Sequence, residues 1–307
     1  MFRLLALFAL GGLSVGTSPA LQPPAPDVHV QMNGVFYHFS ERIAVHIFQL
    51  EGAVVPTAKG TVPVFDDPKS FLIAIRSAKI SIGANSLSET LNRHVFARKD
   101  APLKNLQVSI EGGKIKVKGK LHSKGDIPFE TVGTLSATPD GKVRIHAEHV
   151  KAAHLPVKGL MELLGLDIAK LISTSKVRGV QAEGNDLILD PQEILPLPHI
   201  TGKLMALQIA GDDIVQIFGQ PQRLAAKAPG NYMSYRGGEL QFGKLTMHDS
   251  DMDLIDMDPK DWFDFYLDHY KEQLSAGYTK ITPQFGLRVY MRDYNKLHAA
   301  TSQPKPR

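Results

Sequence analysis

The residues best suited to chemistry form an acidic run near the C-terminal end of the chain. Carboxylates are hard oxygen ligands that suit calcium, and the run contains Asp249, Asp251, Asp253, Asp256 and Asp258. It lacks the glycine and the terminal glutamate of an EF-hand loop. If these residues continue a strand, the first three carboxylates share one face and the apolar residues between them share the other, which is typical of a solvated strand. Two interpretations stay open: a calcium site if the segment folds back, and a solvated strand face if it does not.

Other catalytic chemistry finds little support in the sequence. The chain has no cysteine, which excludes thiol nucleophiles, cysteine-ligated zinc and iron–sulfur clusters. The motifs of serine hydrolases, zinc proteases and nucleotide-binding enzymes are absent. His146 and His149 fall on opposite faces of a predicted strand, which favours surface histidines over a metal pair. We therefore predict a protein that is not an enzyme and has no cofactor. The enzymatic alternative, calcium-assisted hydrolysis by the acidic run, has no identifiable nucleophile.

A comb of lysines lies on one predicted strand. Lysine alternates with apolar or small residues at Lys114, Lys116, Lys118 and Lys120, so four positive charges project from one face. Such a face would meet anionic lipid headgroups or cell-wall polymers; alternatively, it serves solubility and protects a sheet edge from pairing. No aromatic residue interleaves with the lysines, and 35 Lys+Arg nearly balance 31 Asp+Glu. We therefore predict no nucleic-acid partner.

A Leu-rich segment extends from Leu155 to Ile172. A helix buried in the core explains it without any ligand. The competing interpretation is that the helix lines or caps an apolar cavity, in which methionine adapts to variable acyl chains. The residues expected to contact such chains are Leu155, Val157, Leu160, Met161, Leu164 and Leu166.

The elements that must position these residues are mainly strands. Apolar and polar residues alternate with the period of two of half-buried strands. The clearest hairpin joins residues 106–110 to 115–121 through Gly112-Gly113, and further strands are predicted at 28–39, 43–50, 71–82, 129–137, 143–147, 177–182, 187–189, 200–210, 232–235 and 239–247. Helices are few: one opens at a capping box, Ser86–Glu89, and an aromatic helix is predicted over Trp262–Tyr270. The fold class is therefore α+β with mostly antiparallel sheet.

The N-terminal residues are typical of an export signal. Arg3 precedes an apolar run from Leu4 to Gly16, and small residues at Ser18 and Ala20 favour cleavage after Ala20. We expect export to the periplasm or cell surface, with an uncleaved anchor as the alternative. The expected organisation is a signal peptide (1–20), a Pro-rich spacer (21–27), a β-rich domain (28–231), a C-terminal β-hairpin and aromatic helix packed on that domain (232–294), and a disordered tail (295–307).

The order of signals between residues 71 and 219 is distinctive. A strand at residues 80–82 precedes a helix with Leu87, Leu91 and Asn92; the hairpin 106–119, the paired strands 129–137 and 143–150, Leu155-Pro156 with its Leu-rich helix, and the strand 186–189 follow. This order resembles the bacterial LmeA-like phospholipid-binding proteins, relatives of the tubular lipid-binding (TULIP) group. The resemblance implies a long curved antiparallel β-sheet wrapped around a few short helices, with an apolar groove for acyl chains.

These observations lead to two hypotheses for the function. An apolar sheet surface that short helices cannot cover must curl on itself, pack against a second layer or take up a ligand. The first hypothesis is an exported, non-enzymatic protein that binds phospholipid or another acyl-chain ligand in an apolar groove and has a lipid or membrane surface as its partner. The alternative is a structural or assembly module of the cell envelope with a self-filled core. The sequence does not indicate an oligomeric state.

Overall fold

The structure, a computed structural model, describes residues 27–122, 126–152, 155–156, 177–220 and 226–299. Of the residues in these ranges, 56% are in strands, and the α-helices found there are four and short, which confirms the α+β class. The first ten strands are β1 (Val28–Ser40), β2 (Ile43–Pro56), β3 (Phe71–Gly83), β4 (Leu103–Glu111), β5 (Lys114–His122), β6 (Asp126–Ala137), β7 (Val143–Ala152), β8 (Leu155–Pro156), β9 (Val180–Glu183) and β10 (Asp186–Leu189). The others are β11 (His199–Thr201), β12 (Leu204–Ala210), β13 (Asp213–Phe218), β14 (Tyr232–Arg236), β15 (Leu240–Phe242), β16 (Leu245–Met247), β17 (Asp251–Asp256), β18 (Phe263–Tyr266), β19 (Tyr278–Ile281) and β20 (Leu287–Met291).

The helices connect or cover strands. They are α1 (Ala84–Thr90), which continues into one π-helical turn (Leu91–Val95), then α2 (Pro191–Ile194), a 3-10 turn (Leu267–His269), α3 (Tyr270–Ser275) and α4 (Tyr294–Ala299). Across the described ranges, no helix has the length and apolar composition needed to cross a membrane.

The strands form two large sheets and one small one. The larger has eleven strands in the order β12-β13-β3-β2-β1-β14-β17-β20-β19, with β11 also pairing with β3 and β18 with β1. The second has seven strands in the order β4-β5-β6-β7-β10-β9, with β8 on β7, and β15 pairs with β16 alone. Most neighbours are antiparallel, but β1–β18, β3–β11 and β17–β20 are parallel. The C-terminal segment expected as an extension therefore supplies strands to the larger sheet itself.

Both large sheets bury side chains in one hydrophobic core. The larger sheet contributes Met32, Phe263 and Phe265, and the smaller contributes Leu106 and Ile115, each at most 3% exposed. The two sheets thus cover part of each other's apolar surface. Packing against a second layer is therefore one way in which this protein buries that surface.

Strand β1 changes partner along one of its edges. It pairs with β2 over nearly its whole length, while its other edge pairs with β14 over residues 29–33 and with β18 over residues 35–38. The change occurs at Gly34, whose φ is 64°. A Cβ atom there would lie 2.1 Å from the side-chain oxygen of Asn231, so both the backbone conformation and the close approach require glycine.

The aromatic helix predicted over Trp262–Tyr270 is wrong in most of its length. Residues 263–266 form β18, which runs parallel to β1, and α3 begins only at Tyr270. Phe263 and Phe265 are buried in the core cluster, whereas Asp264 and Tyr266 are buried outside it. Because both sets are buried, the period of two is hidden and the run reads as a continuously apolar helix.

The hairpin expected around Gly237-Gly238 also differs from the prediction. Strand β14 pairs with β17 rather than with the residues that directly follow the glycines. Residues 240–247 instead form the separate β15–β16 hairpin, which inserts between the two paired strands in the chain. Turn glycines locate a reversal of the chain but do not say which later strand completes the pair.

We predict that two glycine substitutions differ sharply in cost. Gly219 has a φ of 59° and an added Cβ would lie 1.9 Å from the carbonyl oxygen of Arg76, whereas Gly211 has a φ of 62° with nothing within 4 Å of that position. Gly211→Ala should lower the free energy of unfolding by about 1–2 kcal/mol through conformation alone. Gly219→Ala should lose a further 1–3 kcal/mol or so through the clash. Chemical denaturation checks this, and equal losses would contradict the packing of β13 on β3.

Candidate functional site

The acyl-contact residues predicted in the Leu-rich segment fall almost wholly outside the described residues. Leu155 lies in β8, where its backbone pairs with Ala152 of β7. The others, Val157, Leu160, Met161, Leu164 and Leu166, lie beyond the described ranges. Their contact with a ligand therefore stays a prediction.

The aspartates of the acidic run contact different partners. Asp251 and Asp253 contact two arginines on neighbouring strands. Strands β14 and β20 flank β17 and place Arg236 opposite Asp251 and Arg288 opposite Asp253. The Arg236 Nη2 atom lies 2.7 Å from Asp253 Oδ1, and Arg288 Nε lies 2.9 Å from Asp253 Oδ2. Both arginines also contact Asp251 at 3.2 and 2.9 Å. The predicted solvated face is wrong at Asp253, which is 1% exposed, because two arginines compensate its charge.

The remaining members of the acidic run contact other parts of the chain. Asp256 is buried and accepts a hydrogen bond from Asn231 at 3.0 Å. Asp258 binds the Lys296 ammonium at 2.8 Å, while Asp249 is exposed. Over the described ranges, no group of three or more histidine or carboxylate side chains is placed to hold a metal ion. The structure therefore does not gather the five aspartates into a calcium site.

The Lys296 ammonium on α4 is a hub that joins the C-terminal helix to the sheet. It lies 2.8 Å from Asp258, 2.9 Å from Asp261 and 2.9 Å from Asp293. Burial raises the pKa of Asp293 and raises that of Asp256 to about 6. The arrangement anchors α4 through three contacts of a single ammonium group.

The prediction that His146 and His149 fall on opposite faces of β7 is wrong, because a bulge intervenes and their partners Thr134 and Val132 are two residues apart on one face of β6. His146 Nδ1 lies 2.6 Å from Asp186 of β10, and a bulge in the β6–β7 pairing occurs between His146 and His149. Both side chains are exposed. The ion pair between His146 and Asp186 thus links two strands of the smaller sheet, which is a structural role.

The lysine comb lies on β5 as predicted, but its members have different surroundings. Lys114 pairs with Glu148, and Lys116 lies 3.1 Å from Glu111 and 3.5 Å from Glu130. Lys118 lies 3.6 Å from Glu130, which it shares with Lys116. Strand β5 pairs on both sides, with β4 and β6, so protection of a free edge is not its role.

A cleft of about 1100 Å³ lies where α1 and the following turn meet β4. The side chains of α1 bind the backbone of this strand. The Asn92 amide donates to the Leu106 carbonyl at 2.7 Å and accepts from the Leu106 N–H at 2.8 Å. The Val108 N–H donates to Ser88 Oγ at 2.8 Å. The helix thus covers the edge of the smaller sheet and forms one wall of the cleft.

The predicted capping box at Ser86–Glu89 is wrong because its serines have these other roles. The helix begins at Ala84 without a side-chain cap. Ser86 Oγ accepts from the Ala44 N–H of β2 at 3.3 Å, and Ser88 Oγ donates to the Ala84 carbonyl within the helix. The hydroxyl groups therefore tie α1 to both sheets rather than to its own first turn.

A second cleft of about 610 Å³ continues from the first across β4–β6. The two share the lining residues Asn105, Gln107 and Lys118. Asn105 has a φ of 52° and lies at a bulge in β4, which is a conformation that asparagine tolerates. We call the joined space the basic cleft.

Cations predominate in the lining of the basic cleft. Its carboxylates are Glu89 and Glu130, and its cations are Arg93, Arg98, Lys99, Lys104, Lys118, Lys120 and Lys151. Arg93 pairs with Glu89, and Arg98 pairs with Asp100. The charges of Lys104 and Lys120 help to lower the pKa of Asp126 on β6, after the hydrogen bond from His122. Among the comb lysines, Lys118 and Lys120 line the cleft; Lys114 and Lys116 do not.

Apolar side chains also line the basic cleft. Phe129, which is half-buried, lines the second part, whereas Phe96, Leu106 and Val108 border the first part but are themselves buried in the core. By contrast, an apolar hollow on the core face of the larger sheet, lined by residues such as Met32 and Phe218, is only about 30 Å³, the size of one water molecule. The basic cleft is therefore the larger and more amphipathic of these two spaces. Sequence reasoning found its lysines on β5 but missed the wall formed by α1, for which the basic segment from Arg93 to Lys99 was the available signal.

The buried ion pairs generate a prediction about stability. Asp253→Asn should lower the free energy of unfolding by about 3 kcal/mol, because it leaves two arginines without their shared counter-charge. Asp249→Asn is the matched control on an exposed carboxylate and should change it by less than about 0.5 kcal/mol. Urea denaturation measures both. Equal small effects would mean that the arginines do not depend on Asp253.

Asp256 generates a prediction about pH. Its pKa is raised to about 6 in the folded protein by burial, so the folded state holds the proton more tightly than the unfolded chain. This contribution to stability is complete below about pH 4 and is lost as the pH rises through about 6. Asp256→Asn should therefore be near neutral at pH 4 and stabilising at pH 7, by on the order of 2 kcal/mol. A difference that does not vary between these pH values in denaturation experiments would contradict the raised pKa.

Comparisons with known proteins leave the chain without an assigned family. No model of a known protein family matches it. No curated protein and no solved structure matches it either. The resemblance to LmeA-like proteins stays a prediction from the order of sequence signals.

Proposed function

We propose that this protein is a non-enzymatic binding protein for an anionic amphiphile of the phospholipid class, held in the basic cleft. The observation that carries the proposal is the joined cleft itself, in which seven cations and two carboxylates line a space that also presents the half-buried ring of Phe129. A ligand with a phosphate and an acyl chain matches both features.

The charge of the cleft supports an anionic group on the ligand. Lys118 lines both parts of the cleft, Lys104 lines the first part, and Lys120 and Lys151 line the second part. Each cation near an anionic headgroup contributes about 1 kcal/mol. Phosphate oxygens would also accept hydrogen bonds from Asn105 and Gln107, which line both parts.

The size of the cleft supports a headgroup with part of its chains. The two parts, about 1100 and 610 Å³, lie within or somewhat above the range of about 300–1,000 Å³ found for small-molecule sites. The exposed part of Phe129 would cover the first segment of an acyl chain by area burial, at about 25 cal/mol per Å². We propose that the Leu-rich segment after Pro156 covers the remaining length of the acyl chains. The expected arrangement, a curved sheet wrapped around helices, depends on the position of this segment.

Export to the periplasm or cell surface is part of this proposal. It rests on the leader sequence and its expected cleavage after Ala20. An exported protein with an amphipathic cleft would meet phospholipids of the cell envelope as its natural ligands.

A specific observation favours a second candidate, a structural or assembly module of the cell envelope. The hollow on the core face of the larger sheet is about 30 Å³, so the described core of that sheet is filled by its own side chains. Under this alternative the basic cleft contacts anionic cell-wall polymers from outside and encloses no lipid.

Calorimetric titration with soluble short-chain lipids tests the proposal. Dihexanoyl phosphatidylglycerol below its micelle concentration should bind, and zwitterionic dihexanoyl phosphatidylcholine should bind more weakly. The double variant Lys104→Gln, Lys118→Gln should weaken binding of the anionic lipid about 30-fold, since two contributions of about 1 kcal/mol each are removed.

Lys244→Gln provides the control, because this lysine is exposed on the β15–β16 turn and is not in the lining of the cleft. It should bind the anionic lipid as the unmodified protein does. Lack of binding by the unmodified protein, or an equal loss in the control, would overturn the proposal.

A further inference from the structure

The hairpin formed by β19 and β20 ends the larger sheet and lies outside the region that resembles LmeA-like proteins. Strand β19 is the last in the order of strands and pairs only with β20 among the described elements. All four of its residues, Tyr278–Ile281, are exposed. The hairpin is therefore open to solvent on its outer edge.

Two large apolar side chains are exposed at the tip of this hairpin. Phe285 is 90% exposed and Ile281 is 73% exposed, the highest values among the large hydrophobic residues of the described chain. Exposed apolar groups that cluster in this way mark contact sites more often than scattered ones do. The tip thus presents an apolar wedge to its surroundings.

The backbone at the tip is held in a conformation that is costly for phenylalanine. Phe285 has a φ of 63°, and a bulky side chain is disfavoured there. The turn is nevertheless well bonded: the Phe285 N–H donates to the Thr282 carbonyl at 2.9 Å, and the Gly286 N–H donates to Thr282 Oγ1 at 2.9 Å. Glycine at position 285 would suit this turn better, so the fold itself does not explain an aromatic residue at that place.

The charge around the tip is positive. Residues 277–292 contain Lys280, Arg288 and Arg292 and no aspartate or glutamate. Arg288 is engaged by Asp251 and Asp253, and Arg292 follows the end of β20 that is remote from the tip, which leaves Lys280 as the exposed cation close to the tip in the described chain.

Two tyrosines lie between the apolar tip and the body of the sheet. Tyr278 and Tyr290 stack with ring centroids 4.5 Å apart, and the Lys280 ammonium lies 5.3 and 5.4 Å from the two centroids. Tyrosine and lysine are residues that favour the headgroup region of a bilayer, where an apolar body and a polar end are both satisfied.

We propose that the tip of the β19–β20 hairpin inserts into the surface of an anionic lipid bilayer. Phe285 and Ile281 enter the boundary between headgroups and acyl chains, the tyrosine pair lies at headgroup depth, and Lys280 contacts lipid phosphates. This inference builds on the proposed function, because a protein that takes up a phospholipid must meet a membrane. It places the contact with the bilayer at a site separate from the basic cleft.

Flotation with lipid vesicles tests this proposal. The full purified protein should float with vesicles of phosphatidylcholine and phosphatidylglycerol and much less with phosphatidylcholine alone. Phe285→Gly should reduce the vesicle-bound fraction about ten-fold or more, because a buried phenylalanine is lost. The same variant should unfold at an equal or higher denaturant concentration, because glycine relieves the left-handed backbone. A purely structural role for Phe285 predicts the opposite change in stability.

Matched substitutions separate the tip from other exposed apolar groups. Ile281→Thr should reduce flotation, whereas Leu245→Thr, at a strand residue that is 48% exposed on the β15–β16 hairpin, should leave it unchanged. Flotation of Phe285→Gly at the level of the unmodified protein would overturn the proposal. So would a dimer of the unmodified protein that this variant dissociates, since the hairpin would then be a contact between two copies of the chain.

Short-chain lipid binding distinguishes this proposal from that for the cleft. Phe285→Gly should bind soluble dihexanoyl phosphatidylglycerol as the unmodified protein does. Binding of this lipid without flotation would overturn the membrane contact alone, and flotation without binding of this lipid would overturn the proposed function of the cleft alone.

Discussion

The exchange of partners along one edge of β1 is the constraint on which the larger sheet depends. A strand of 13 residues pairs with β14 and then with β18 on the same edge, and the exchange is possible because Gly34 adopts a left-handed conformation beside Asn231. Asn231 in turn binds Asp256, close to the residues that anchor α4. The N-terminal strand thus joins the C-terminal quarter of the chain into the same sheet, and the hairpin at its far end is held in place by that pairing.

Charge is compensated in one part of the molecule and left open in another. On β17 the carboxylates of Asp251 and Asp253 are matched by Arg236 and Arg288 at hydrogen-bonding distances, so this pairing stabilises the fold. In the basic cleft, by contrast, seven cations line the same space as two carboxylates. Clustered like charges reduce stability, and a bound anion would relieve this. The proposed function places the ligand where the fold has left its charge unbalanced.

The sequence predicted most of the sheet but only part of the cleft. The β4–β5 hairpin follows from strict alternation and two turn glycines, which are local signals. The strand Phe263–Tyr266 was missed because its two faces are both buried, and the burial of Asp253 was missed because its arginines are distant in the chain. The lysine comb predicted two residues that line the cleft, Lys118 and Lys120. Asn92 and Ser88 line the same cleft only because the helical segment that contains them covers the edge of β4. Local sequence patterns therefore predict the strands. The cleft forms where segments distant in the sequence come into contact, and no local pattern predicts that contact.

We propose that this chain holds a phospholipid-class ligand. This is tested by measuring the lipid that co-purifies with the protein from the cells that express it. Native mass spectrometry of the protein purified without detergent, followed by organic extraction, should find one anionic phospholipid per chain. That lipid should be lost from the Lys104→Gln, Lys118→Gln variant. A protein whose mass equals that of the polypeptide alone, with no lipid in the extract, would contradict the account and favour a structural role in the cell envelope.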